Sequence, residues 1–454
     1  MNDTIAAIAT PQAAGGIGIV RISGDKAIEI ADKVFTAKEK KRLIESRGYS
    51  AHFGYVHDDD IKIDEAIALV FRSPKSYTGE DIVELSCHGG LYVIRNVLRA
   101  VLKSGARIAE AGEFTRRAFE NGKMSLTQAE AVMDIISAQG EQAARAAVSA
   151  MDGKLADKII KIKEKLISYA AHLSAWADYP EEDLIPVNKD DFSKQLEECI
   201  LELKKMIKDA DAGKIIRDGI DTVIVGKPNV GKSTLMNCLA GCERSIVTHI
   251  AGTTRDIVEE KVILGDVILR LADTAGIHDT SDPVEMIGVD RAIDRMKTAG
   301  LVIAVFDNSM PLDENDFRLI NHLNGNNCVA VINKTDMDGE LDTSIISQNI
   351  GKIVYISAKN ESGVDDLSKS ISELLGVSEL NPADGILSGE RQINCCRNCL
   401  SMVVDAKNAL DIGITLDAVN ISLDCAINYL LELTGERVTE VVTDAVFHNF
   451  CVGK

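Results

Sequence analysis

The residues with the plainest chemical purpose are Gly226, Asn229, Val230, Gly231, Lys232, Ser233 and Thr234, in the run Gly-Lys-Pro-Asn-Val-Gly-Lys-Ser-Thr. A Gly-x-x-x-x-Gly-Lys-Ser spacing turns successive backbone N–H groups inward around phosphate oxygens. It also aims a lysine at the outer phosphates and offers a hydroxyl, here that of Ser233, to Mg2+. That chemistry requires a strand before the loop and a helix after it. Asp221-Thr-Val-Ile-Val is a β-branched apolar strand, and Leu235 to Ala240 reads as helix. The helix N-terminus adds partial positive charge where phosphate would lie. A Gly-rich turn with no ligand is the plain alternative.

Three further segments argue against that alternative. Ile268-Leu-Arg-Leu-Ala leads into Asp273-Thr274-Ala275-Gly276, which places a carboxylate for Mg2+ and a glycine N–H for a γ-phosphate. Cys328-Val-Ala-Val-Ile leads into Asn333-Lys334-x-Asp336. A carboxylate at Asp336 accepts two hydrogen bonds from the N1–H and 2-amino edge of guanine, a donor pair adenine lacks. Ile353-Val-Tyr-Ile leads into Ser357-Ala358-Lys359, where a backbone N–H can meet guanine O6. Four such pieces, each at the C-terminal end of a strand, predict a guanine-nucleotide-binding α/β domain. Thr248 to Asp256, with Thr253 and Thr254, suits a closing segment in which Thr254 supplies a second Mg2+ ligand. Residue 277, where Ras-like enzymes carry a water-orienting glutamine, is Ile277, so either the protein is a poor hydrolase or another group orients water. Glu285 is a candidate by proximity. Arg255 is either an arginine finger or a surface charge, and His278 reads as a loop surface residue.

The elements that must position these groups fall into several domains, as expected for 454 residues. Residues 1–119 alternate strands (Thr4–Ala9, Ile17–Ser23, Glu65–Arg72, Asp81–Ser86) with helices from about Asp25 and over Leu91–Lys103, an α+β pattern. Arg21 and Glu84 lie in apolar strands and read as solvent-facing. Residues 120–217 are helical: a pattern N-capped by Ser125 running through Ala150, a second from Lys154 to Tyr179, and a third over Asp191–Asp211. Lys158, Lys161, Lys163 and Lys165 read as a solvated helix face. The α/β domain takes 218–375, and helices resume over 376–454. Neither helical part can bury its apolar faces alone. A single discontinuous all-α domain interrupted by the nucleotide domain satisfies both, so the expected fold class is multidomain α+β and α/β. Cys395, Cys396 and Cys399 sit in an amphipathic helix and read as core. There is no apolar run long enough to span a bilayer and no basic-then-apolar leader, and the ten cysteines are scattered and mostly in apolar contexts, for which a cytoplasmic, reduced protein is the simplest account. The net charge of −20 disfavours broad, nonspecific nucleic-acid binding.

Taken together, Gly-Lys-Pro-Asn229-Val-Gly-Lys-Ser, Ala-Gly-Thr-Thr-Arg-Asp, Asp-Thr-Ala-Gly followed by an apolar residue, and the terminal Phe450-Cys451-Val-Gly-Lys454 resemble the MnmE (TrmE) family of tRNA-modifying GTPases. N-terminal Gly16-Ile-Gly-Ile-Val-Arg21 and Tyr77-Thr-Gly-Glu-Asp-Ile-Val-Glu84 extend the likeness over the whole chain. The GTPase motifs alone are shared with Era and Der, ribosome-assembly switches that form the alternative reading. The resemblance implies a cytoplasmic homodimer that works with the FAD-dependent MnmG (GidA) subunit in a heterotetramer. That complex would install an aminomethyl-type group (carboxymethylaminomethyl in one form) on C5 of the wobble uridine of certain tRNAs. It implies a dimerising N-terminal domain that binds a 5-formyltetrahydrofolate-type folate through Arg21, Glu84, Lys123 and Lys454, with Cys451 catalytic. It further implies that K+, held by Asn229 and by Thr248, Ile250 and Thr253, stands in for an arginine finger when G domains pair, and that Glu285 orients water indirectly.

Overall fold

The computed structural model describes residues 3–178, 189–241, 260–271, 295–323, 327–448 and 450–453. The chain divides into two compact units, one of Met1–Met133, Ala156–His172 and Leu423–Lys454, the other of Asp134–Leu155 and Leu173–Ser422.

The first unit is built on strands β1 (Ile5–Ile8), β2 (Gly18–Ser23), β3 (Phe35–Ala37), β4 (Ser50–Asp58), β5 (Ile61–Phe71), β6 (Ile82–Cys87) and β7 (Arg107–Ile108). They form one sheet in the order β3-β4-β5-β6-β2-β1-β7, antiparallel except for the β1–β7 pair. Alternation sends Val20 and Ile22 of β2, with Val83 and Leu85 of β6, into a core shared with the helices Ala27–Val34 and Leu91–Lys103. Arg21 and Glu84 therefore emerge on the opposite face, where they are register partners across β2 and β6. The last helix, Glu440–His448, and the residues after it also belong to this unit: Phe447 and Phe450 pack with Leu126, Ala129 and Val132.

An ionic cluster holds the β1–β7 edge. Arg107 and Arg117 both donate to Glu113 and to Asp3, and Arg117 also reaches Glu80 at 3.2 Å. Burial pushes the Glu113 carboxyl up, but Arg107, the Glu110 N–H and Arg117 outweigh it and hold the group below its ordinary 4.5. A depressed carboxylate stabilises the fold above its unfolded value and loses that contribution as pH falls through the folded one. We expect Glu113→Gln to cost about 1.5–3 kcal/mol at neutral pH. Its difference from wild type should shrink below about pH 4, read by chemical denaturation across that range.

The second unit carries β8 (Ile220–Val225), β9 (Glu260–Leu264), β10 (Val267–Leu271), β11 (Leu301–Asp307), β12 (Cys328–Asn333) and β13 (Ile353–Tyr355). Their order is β13-β12-β11-β8-β10-β9, parallel apart from the β9–β10 hairpin. The interior strands β11 and β12 are buried along their whole length, as a parallel strand covered on both faces should be.

The helices differ from expectation in several places. The one expected to run through Ala150 is two, Leu126–Ser137 and Glu141–Met151, because Gly140 adopts an extended backbone and starts the second. Ser125 does cap the first: its hydroxyl accepts from the Gln128 N–H at 3.3 Å while Gln128 Oε1 accepts from the Ser125 N–H at 2.9 Å. The helix expected to end at Asp211 is longer and spans Lys189–Asp218. Gly213 lies inside it, where a Cβ would sit 2.6 Å from Ile386 Cγ2, so the close approach requires glycine despite its poor helix propensity. Lys163 is not solvated: it is buried and bonded to Glu436, though Lys161 is exposed. Cys395, Cys396 and Cys399 are buried core thiols on Glu390–Ile412, which packs on Lys189–Asp218; burial pushes Cys396 up to about 12.

Candidate functional site

The phosphate-type loop leaves the end of β8 at Gly226 and enters the helix Lys232–Gly241. Val230 is its anchor, 1% exposed in the apolar core. Asn229 and Gly231 both have left-handed backbones, at φ of 63° and 96°. Gly231 is required on two counts, since a Cβ there would also lie 2.3 Å from Asn333 Nδ2. The loop leaves Asn229, Ser233 and Thr234 exposed. Lys232 Nζ donates to the carbonyls of Gly226 and Lys227, each at 2.8 Å. Lys227 Nζ reaches Asp316 at 2.8 Å and Asp313 at 3.0 Å, tying the loop to the capping box of the helix Glu314–His322.

Asn333 joins this loop to the other strand ends. Its side chain is buried; Nδ2 donates to Val230 O at 2.9 Å and Oδ1 accepts from the Ala358 N–H at 3.0 Å. The amide thus fixes the loop after β8 and the Ser357-Ala358-Lys359 turn against the end of β12. The Ala358 N–H already has this partner. Asp336 lies beside them with Oδ1 accepting from Ser357 Oγ at 2.6 Å. That hydroxyl, more than the neighbouring lysines, holds Asp336 below the usual carboxylate range, so it is a charged acceptor at neutral pH. Lys334 Nζ donates to Asn229 O at 2.8 Å and to Asp307 Oδ2 at 2.5 Å. Sequence reasoning does not single out Asp307. Its one signal there is a carboxylate ending an otherwise wholly apolar strand.

In the other unit, Arg21 and Glu84 form an ion pair at 2.8 Å with side chains 15% and 16% exposed, so the solvent-facing reading of these two residues does not hold. The guanidinium lies over the rings of Tyr77 and Phe114, at 5.5 and 5.6 Å from their centroids. Arg21 Nη1 also donates to Gly453 O at 3.3 Å, and Val452 pairs with Ala111 in an antiparallel bridge. The C-terminal tail is thus brought to Arg21, with Cys451 exposed. Lys123 is exposed and donates to Pro74 O at 3.0 Å. Tyr77 and Phe114 are contributors that strand patterning does not reveal. Thr248, Ile250, Thr253, Thr254, Arg255, Asp273, Thr274, Ala275, Gly276, Ile277, His278, Glu285 and Lys454 lie outside the described residues. Among the described helices none is long and apolar enough to cross a membrane.

A mostly parallel sheet whose strand β8 feeds a Gly-x-x-x-x-Gly-Lys-Ser loop, with an Asn-Lys-x-Asp corner two strands away, is the architecture of a Ras-like P-loop GTPase domain. It occurs here with an N-terminal α+β domain and a set of long helices. Residues 4–123 match the family model for the GTP-binding protein TrmE N-terminus, and 126–451 that for the MnmE helical domain. The tRNA modification GTPase MnmE of Alkaliphilus oremlandii is 41% identical over 459 residues, covering 100% of both chains. Its namesakes in Acetivibrio thermocellus and Clostridioides difficile are 40% and 38% identical, covering 100% of this chain and 99% and 100% of theirs. The chain belongs to the MnmE family of tRNA modification GTPases.

Proposed function

We propose that this chain is the GTP-hydrolysing subunit of an enzyme that adds an aminomethyl-type group, carboxymethylaminomethyl in one form, to C5 of the wobble uridine of certain tRNAs. On this reading it is a cytoplasmic homodimer that assembles with the FAD-dependent MnmG (GidA) subunit and draws a one-carbon unit from a folate. The observation that carries the guanine-nucleotide part is the Asn333 amide, which sets a charged Asp336 beside the loop after β8. The loop supplies backbone donors for phosphate, Lys232 charge, and the exposed Ser233 a hydroxyl suited to Mg2+, with Asp273 and Thr254 as further ligands. Asn229, exposed on a left-handed backbone, suits a monovalent cation beside the phosphates, with Thr248, Ile250 and Thr253 completing the set. Such a cation supplies charge stabilisation where an arginine finger is absent.

The Arg21–Glu84 pair beside Tyr77 and Phe114 fits a planar heteroaromatic that offers donors to a carboxylate, which is the edge chemistry of a reduced pterin. Lys123 and Lys454 would meet the anionic tail. A helical domain assembled from 120–217 and 376–454 around an inserted domain at 218–375 is supported by the contact of Lys189–Asp218 with Glu390–Ile412. The match of one helical-domain model across 126–451 supports it too.

Two measurements test the reading. Wobble-uridine composition of tRNA from a deletion strain should lose the modified nucleoside, and purified protein should bind a reduced folate. Unaltered tRNA would refute the proposal. Asp336→Asn should weaken GTP binding about ten- to a hundredfold, the range of a lost charge-assisted hydrogen bond, and admit a xanthine nucleotide. Unchanged GTP affinity in an equilibrium titration would remove Asp336 from the base pocket.

A further inference from the structure

We propose that Asp307 is a positioning residue that sets how long the loop after β8 retains nucleotide, acting through Lys334. The inference rests on the guanine-nucleotide reading and adds a residue to it. Asp307 ends β11 and is 4% exposed, yet both oxygens of its carboxylate are committed. Oδ1 accepts from the Ser309 N–H at 2.9 Å and from Ser309 Oγ at 2.7 Å, which fixes the orientation of the carboxylate. Oδ2 accepts from Lys334 Nζ at 2.5 Å. Lys334 in turn donates to Asn229 O at 2.8 Å. A lysine is a flexible chain that by itself specifies no direction. Two acceptors, one rigid and one on the loop, convert it into a strut between β11 and the loop.

The need for a strut is visible in the backbone. Asn229 and Lys334 both hold φ of 63°, left-handed values that a side-chain-bearing residue adopts at a cost and keeps only where its surroundings impose them. Asn229 O is the atom that Lys334 grips, so Asp307 reaches the strained residue of the loop through one intermediary. Burial raises the Asp307 carboxyl, but Lys334 and Ser309 outweigh it, so the group is anionic and the strut stays charged at neutral pH.

Release of a fluorescent GDP, N-methylanthraniloyl-GDP, from full-length protein in stopped flow tests the proposal. The proteins are wild type, Asp307→Asn, Lys334→Met and the double variant. Asparagine keeps the shape and an acceptor for Ser309 while removing the charge. Asp307→Asn should speed release about ten- to a hundredfold. The double variant should release no faster than Lys334→Met alone. It should also unfold at a higher temperature than Lys334→Met, because it removes a buried carboxylate left without its cation. Wild-type release by Asp307→Asn, or effects of the two substitutions that multiply, would overturn the proposal alone. Absence of GDP binding by the wild-type protein would overturn the nucleotide reading and this inference with it.

Discussion

GTP turnover by the full-length protein is expected to be roughly tenfold or more faster in K+ than in Na+ at matched ionic strength, part of the about 10³–10⁵ that an arginine finger supplies. Ile277 stands where Ras-like enzymes have their water-orienting glutamine, so an isolated domain should be slow. Asn229 is exposed, and its carbonyl is held by Lys334, which leaves the side chain to serve as a ligand. Asn229→Gly, which tolerates the backbone φ of 63°, and Asn229→Ala should both lose the K+ response. Both should keep GDP binding, since the phosphate cradle is mostly backbone. Glu285→Ala should retain K+-driven pairing of G domains and hydrolyse slowly. Equal turnover in the two salts would eliminate the cation mechanism and make Arg255 the next residue to vary.

Cys451→Ser is expected to abolish tRNA modification while GTP hydrolysis stays within about twofold of wild type, the pattern of a residue needed for one reaction only. The thiol belongs to a segment held in place on both sides: Phe450 is buried among Phe447 and Leu126, and Gly453 O accepts from Arg21. A cysteine serving only to seal the last helix would be buried with those phenylalanines. Cys451 is exposed instead. Its backbone carbonyl accepts from the Gly112 N–H at 3.4 Å, and the adjoining Val452–Ala111 bridge anchors the same stretch through its main chain. The anchoring therefore uses the backbone and leaves the thiol at the surface. Modified-nucleoside analysis of tRNA from a strain carrying only the serine variant gives the readout. Full modification by that variant would assign Cys451 a purely structural part.

Much of the nucleotide site is legible in the sequence because its chemistry needs contiguous residues. A loop that wraps phosphate must be a short Gly-rich run after a strand, and Gly226 to Ser233 follow β8 as expected. The Asn333–Asp336 corner and the Ser357 turn follow β12 and β13 for the same reason. Period-2 alternation likewise places β2, β5 and β6, and the Ser125 cap follows from the Gln128 three residues on. Alternation tells which face a residue takes and is silent about what it meets there. Arg21 and Glu84, 63 residues apart, read as solvent-facing until β2 and β6 are paired in register, which puts each charge opposite its partner. Lys163 reads as solvated until Glu436 arrives from the far end of the chain, and nothing near Gly213 in the sequence announces that Ile386 will press against it. Asp307 is one carboxylate among 70 acidic residues in the sequence. Only the parallel pairing of β11 with β12 sets it opposite Asn333, within reach of Lys334, and a pairing between distant strands is decided by tertiary packing rather than by any local run of residues.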